Sequence, residues 1–275
     1  MENLIFYFLI FCIGTVFGSF FTLAVYRIPL HQDITHKRSY CPKCNHKLSF
    51  LDMIPILSYI FLGGKCRYCK EKIRIRYLLL EVLTGLVFVL IAMSIKINLI
   101  NMELDKLIYL VFTLLYVAGI IIIAGIDKEK RDISKPVISY ELILLTIYMI
   151  YLYIVENANI YRYVIYLFVM LFLTIINVYK LKKDLKTSYL IDIIILSIIM
   201  SGFTFEWCFA YTVVFTLIAI SLEILIHKLV NMKNKHTKKE QVYSKNIPIA
   251  FYLCSLNIVI LIITNMMANG WFEWN

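Results

Sequence analysis

The chain has 275 residues, 61% of them hydrophobic, and a formal net charge of +10; its mean hydropathy is +0.79. A soluble domain is about half apolar, so this excess excludes one water-soluble core and predicts a polytopic membrane protein. The positive charge does not call for nucleic acid, because basic residues of membrane proteins collect on cytoplasmic loops.

A spanning helix needs roughly 20 mostly apolar residues. In chain order the predicted spans are 4–26, 78–95, 107–126, 137–155, 161–180, 189–203, 207–227 and 247–268, the sixth being short. The first has no basic segment before it and reads as a retained helix rather than a cleaved signal. Pro29, Pro136 and Pro248 flank spans, and Gly202 precedes the seventh. The expected fold class is all-α, with about eight transmembrane helices and a small cytoplasmic zinc-binding loop. The expected divisions are a first helix at 1–26, the loop at 27–77 and a transmembrane domain at 78–275. All but three of the 28 Lys and Arg fall in 27–77, 127–136, 180–188 and 228–246, the exceptions being Lys96, Lys106 and Arg162. With eight spans, the four basic segments share one face. That face is expected to be the cytoplasm, which leaves both termini outside.

The first loop contains Cys41-x2-Cys44, then 21 residues, then Cys66-x2-Cys69. Two such knuckles offer four thiolates to one tetrahedral Zn²⁺. A cytoplasmic loop disfavours disulfides. Four protein ligands close the coordination shell, so the expected zinc is structural. His46 is a weak competing ligand; a solvated loop histidine is the simpler reading. Cys12, Cys208 and Cys254 lie in apolar runs and read as packing residues. The stretch "FLDMIPILSYIFL" between the knuckles is too apolar for a solvated loop. It is expected to pack on the zinc module or to lie in the membrane interface.

Two aspartates stand out. Asp127 closes the apolar run "GIIIIAGID" at the cytoplasmic end of the third span. A helix end reaching water explains it, and so does half of an active site. Asp192, in "TSYLIDIIILSIIM", lies inside an apolar segment, where a lone charge is costly. At similar depth on two helices, the pair can form a proton-sharing dyad of the aspartic-protease kind. Asp184, in "KKDLK", is the rival for the second position; a solvated ion pair is its simpler explanation. Glu129 and Asp132 either attract a basic substrate or merely balance Lys128, Lys130 and Arg131.

Several stretches together resemble the bacterial type IV prepilin leader peptidases, over nearly the whole chain. "FGSFFTLAVYRIP" carries Gly18, Ser19, Tyr26, Arg27 and Pro29, with Thr22 where that family has asparagine. Arg38, the four cysteines, Asp52, Pro55, Arg76, Tyr77 and Glu81 follow its loop pattern, with Leu78 for a usual proline. "IDKEKRDIS" resembles the region of the first catalytic aspartate, with Ser134 and Lys135 as departures, and "KNIPIAFYL" the motif before the last span. The second aspartate of that family sits in Gly-x-Gly-Asp-x-Lys. Here Tyr189 and Ile191 replace the glycines and Ile194 the lysine.

The resemblance implies catalytic Asp127 and Asp192 and removal of the basic leader of prepilin or pseudopilin substrates. It also implies N-methylation of the new terminus from S-adenosylmethionine, tied to the first loop, and residence in the bacterial cytoplasmic membrane in contact with lipid. The eroded glycine motif leaves open a non-catalytic scaffold that binds prepilins or pilus-assembly proteins.

Overall fold

The structure is a computed structural model that describes residues 2–36, 38–99, 102–155, 161–182, 189–204, 206–236 and 247–271. Among them the protein is helical, with two isolated bridges in place of sheet. The helices are α1 (Glu2–Arg27), the short α2 (Leu57–Phe61), α3 (Arg76–Ser94), α4 (Leu104–Lys130), α5 (Lys135–Val155), α6 (Tyr161–Lys182), α7 (Tyr189–Phe203), α8 (Glu206–His236) and α9 (Ile249–Ala268). Each of the eight expected spans is a helix. Six of them are long and apolar enough to cross a membrane, and α7 is apolar but shorter. This is a multi-pass membrane protein.

Two helix ends differ from expectation. α4 runs past Asp127 to Lys130, and α8 runs past residue 227 to His236. Apolar length marks where a helix leaves lipid, not where its hydrogen bonding stops. Lysine is a good helix former, and cations are favoured at a helix C-terminus. Asp127 therefore lies inside the last turn of α4 rather than at its end.

The chain forms two compact units. The first comprises Met1–Ala118 with Asn265–Asn275. In it α1 and α3 pack antiparallel through glycine. A Cβ on Gly14 would lie 2.8 Å from Gly85 Cα, and one on Gly18 would lie 2.8 Å from Glu81 Cα. Small residues let helix backbones approach closely where lipid supplies no hydrophobic drive between helices. Thr84, Phe88, Ile91 and Ala92 line the buried side of α3. The far ends are tied by polar bonds: Tyr7 Oη donates to the Ile97 carbonyl at 3.0 Å, and Asn269 Nδ2 donates to the Ser94 carbonyl at 3.1 Å.

The second unit is Gly119–Thr264. Its core holds Ile123, Ile126, Leu145, Leu196, Ile199, Met200 and Cys254, all essentially inaccessible. Gly202 on α7 lies against Leu145 of α5, and Tyr148 stacks on Phe203 at 5.3 Å.

Candidate functional sites

The loop between α1 and α3 is built from two knuckles of the same backbone design. In the first, Cys41 N–H donates to the His46 carbonyl at 3.0 Å and Asn45 N–H to the Cys41 carbonyl at 2.8 Å. In the second, Cys66 N–H donates to Glu71 at 2.9 Å and Lys70 N–H to Cys66 at 3.0 Å. Asn45 and Lys70, each following the second cysteine of its knuckle, both take positive φ, 56° and 59°. Short bridges, Tyr40 to Lys47 and Lys65 to Lys72, close the knuckles.

The four Sγ atoms lie within 4.8 Å of one another, with Cys41 and Cys69 at 3.8 Å. A Zn–S bond of about 2.3 Å in a tetrahedron requires sulfurs about 3.8 Å apart, so this donor set fits a zinc ion. Burial pushes the Cys41 thiol up, but the N–H groups of Cys44 and Lys43 outweigh it and hold it down to about 7. Cys69 receives an N–H from Glu71, yet burial and its three sulfur neighbours push it up to about 12. Four crowded thiols cannot all ionise unaided; a divalent cation removes that conflict. His46 stacks on Tyr68 with ring centroids 3.6 Å apart.

Around the knuckles, Asp52 accepts from Ser49 Oγ at 2.7 Å, Arg67 Nε at 2.6 Å and Tyr68 Oη at 3.1 Å. Buried Arg27 donates to the carbonyls of Asp33 at 2.9 Å and Arg38 at 3.2 Å. Glu81 Oε2 accepts the Ile56 N–H at 2.8 Å. Ile56 adopts φ 61°, unusual for a β-branched residue. The apolar stretch between the knuckles forms a 3₁₀ turn and α2, and leaves Phe50 76% and Phe61 83% exposed.

The second constellation lies in the other unit. Asp127 is fully buried. Its Oδ1 accepts Tyr189 Oη at 2.7 Å and its Oδ2 accepts the Phe251 N–H at 2.9 Å. Tyr189 Oη accepts in turn from the Ala250 N–H at 3.2 Å. Ala250 and Phe251 belong to the first turn of α9, whose N–H groups lack intrahelical partners and carry the positive end of the helix dipole. Asp127 thus caps α9 from another helix. Lys128 Nζ lies 4.5 Å from the Phe251 ring centroid.

Asp192 is also buried, in the first turn of α7. It follows Tyr189 by three residues, so the two share a helix face. Asp184, the rival second aspartate, lies outside the described residues. Asp132 Oδ1 accepts the adjacent Ile133 N–H at 2.9 Å, a local role that requires no substrate.

Sequence reasoning missed two residues. Tyr189 had counted only as a lost glycine. Glu141, on α5, is fully buried against Gly119, and neither carboxyl oxygen has a hydrogen-bond partner among the described residues. A carboxyl inside an apolar span was the signal for it.

The family model described as Bacterial Peptidase A24 N-terminal domain matches residues 12–95. Over this segment the chain is similar to the prepilin leader peptidases. Among curated relatives, the prepilin leader peptidase/N-methyltransferase of Myxococcus xanthus is 44% identical over 79 residues, covering 29% of this chain and 24% of the relative. The protein of that name from Vibrio cholerae is 42% identical over 77 residues, covering 25% and 30%. That from Bacillus subtilis is 41% identical over 80 residues, covering 29% and 32%. The chain thus spans about a quarter to a third of the length of the relatives it matches. No solved structure matches it. The matched segment holds α1 from residue 12 onward, the four cysteines and α3; Asp127 and Asp192 lie beyond it.

Proposed function

We propose that this protein is a membrane aspartic endopeptidase that removes the basic leader of type IV prepilin-like subunits at the cytoplasmic face of the bacterial cytoplasmic membrane. The observation that carries the reading is the pair of buried aspartates, Asp127 and Asp192, with Tyr189 bringing the first turn of α7 against Asp127. In this reading one carboxylate takes a proton from water as the water oxygen bonds to the scissile carbonyl carbon. The other, protonated, gives its proton to the carbonyl oxygen. Collapse of the tetrahedral species breaks the C–N bond; the proton held by the first carboxyl goes to the leaving amine, and a hydroxyl proton of the tetrahedral species returns to the second carboxylate. A carboxylate offers about four lone-pair positions; Tyr189 and Phe251 take two at Asp127, leaving two for water and the partner acid.

The four cysteines hold zinc as a structural ion, with every coordination position filled by protein. Methylation of the new N-terminus from S-adenosylmethionine is the companion activity suggested by the relatives' names; no residue here is assigned to the donor. In this orientation the basic segments are cytoplasmic and both termini outside.

The test is cleavage of a prepilin reporter in membranes. Asp127→Asn and Asp192→Asn should each lower cleavage at least 10³-fold, on the order of a lost catalytic acid or base, while the protein stays in the membrane. Full cleavage by either variant removes that residue from the dyad. A wild type that cuts no prepilin of its own cell, with prepilin still retained by the zinc loop, supports the scaffold instead.

A further inference from the structure

The family pattern places glycine where this chain has Tyr189, and that side chain is not a passive replacement. Its hydroxyl donates to Asp127 Oδ1 at 2.7 Å and is itself fixed by the Ala250 N–H at 3.2 Å. The other oxygen of Asp127 is held by the neighbouring Phe251 N–H at 2.9 Å. Two donors from two helix starts, one of them itself held by the Ala250 N–H, thus determine where the Asp127 carboxylate points. A buried carboxylate without such donors would be free to rotate about its χ2, a broad torsion. Glycines at a helix start let backbones approach closely; the tyrosine instead reaches Asp127 with a side-chain hydrogen bond.

We propose that Tyr189 is the positioning residue for Asp127, replacing by a side-chain donor the close backbone approach that glycine would permit. The inference rests on the peptidase reading for its kinetic consequence, but not for the hydrogen bond itself. Tyr189 touches no scissile atom in this role. It fixes the plane of the carboxylate and delivers one O–H to one oxygen, leaving the remaining lone pairs directed at substrate and water.

Tyr189→Phe keeps the ring and deletes only the hydroxyl. With a prepilin reporter it should lower kcat by about 10–100-fold, the order lost when an outer-shell partner that orients a metal ligand is removed, with KM changed less than about twofold. A merely structural tyrosine would not split kcat from KM in this way. Alongside it, the infrared carboxylate band assigned to Asp127 by its loss in Asp127→Asn should shift in Tyr189→Phe. An unshifted band overturns the hydrogen bond whatever the enzyme does. A shifted band with wild-type kcat, while Asp127→Asn is inactive, overturns the positioning role and leaves the peptidase reading intact. Full cleavage by Asp127→Asn overturns the peptidase reading and, with it, this role.

Discussion

Replacing Asp52 by asparagine tests how the second knuckle is held ready for metal. The carboxylate accepts from Ser49 N–H at 3.1 Å and Oγ at 2.7 Å, from Arg67 Nε at 2.6 Å and from Tyr68 Oη at 3.1 Å. Arg67 and Tyr68 are the two residues between Cys66 and Cys69. The Asp52 side chain is 3% exposed but that of Arg67 is 48% exposed. A hydrogen bond to a charged group contributes about 1.5–3 kcal/mol when well buried, and a half-solvated ion pair contributes about 1 kcal/mol or less. Asparagine keeps the shape, loses the charge, and turns an N–H₂ toward groups that are themselves donors. A net loss of about 1–2 kcal/mol follows, and because 1.4 kcal/mol is tenfold, zinc affinity should weaken about 5- to 30-fold. Outer-shell partners of metal ligands act on this scale. The assay is competition with a chromogenic chelator, using detergent-solubilised protein at pH 7. Asp33→Asn is the control, since that carboxylate caps only the exposed turn at Thr35 and His36. Affinity of Asp52→Asn within twofold of wild type, or an equal loss in Asp33→Asn, would refute the reasoning.

Two further predictions concern stability. Burial pushes the Asp52 carboxyl up, but the bonds from Ser49, Arg67 and Tyr68 outweigh it and hold it down to about 2, below the ordinary 3.8. A depressed folded-state value stabilises fully above the ordinary value and is lost as pH falls through the folded one. In metal-free protein followed by calorimetry, wild type should therefore melt above Asp52→Asn at pH 5, and the gap should close as pH falls toward 2. In the second unit, a methyl on Gly119 would run into the Glu141 carboxyl. Gly119→Ala should cost about 1–3 kcal/mol by overpacking. Glu141→Ala in the same chain should recover part of that cost, a coupling of at least about 1 kcal/mol in a double-mutant cycle of unfolding in detergent.

What could be read from the sequence follows from what each pattern encodes. The spans were legible because apolar length is a property of consecutive residues. The cysteine cluster was legible because two Cys-x-x-Cys knuckles at this separation are a metal-ligand spacing, and their common Cys-x-x-Cys-x-x-Lys spacing even matches their common backbone shape. Asp127 and Asp192 were legible as carboxylates in apolar surroundings. The hydroxyl of Tyr189 on Asp127 was not, because it joins positions 62 residues apart, and no local periodicity specifies which helices meet. Nor was the cap that Asp127 makes on α9. The sequence offers Pro248 as a helix-start signal, but it does not say that the carboxylate satisfying those N–H groups comes from α4.

The glycine contacts of α1 with α3 carry one more consequence. Because Gly14 faces Gly85 and Gly18 faces Glu81, the chain leaves the bilayer and re-enters it at neighbouring points, and the knuckles close their own ring of bonds between those points. The excursion is therefore a cassette, mounted on a glycine-packed hairpin and bonded to it through Arg27 at one foot and Glu81 at the other. Helix pair and loop are thus one bonded block, and the family match, residues 12–95, lies within it and ends before either aspartate.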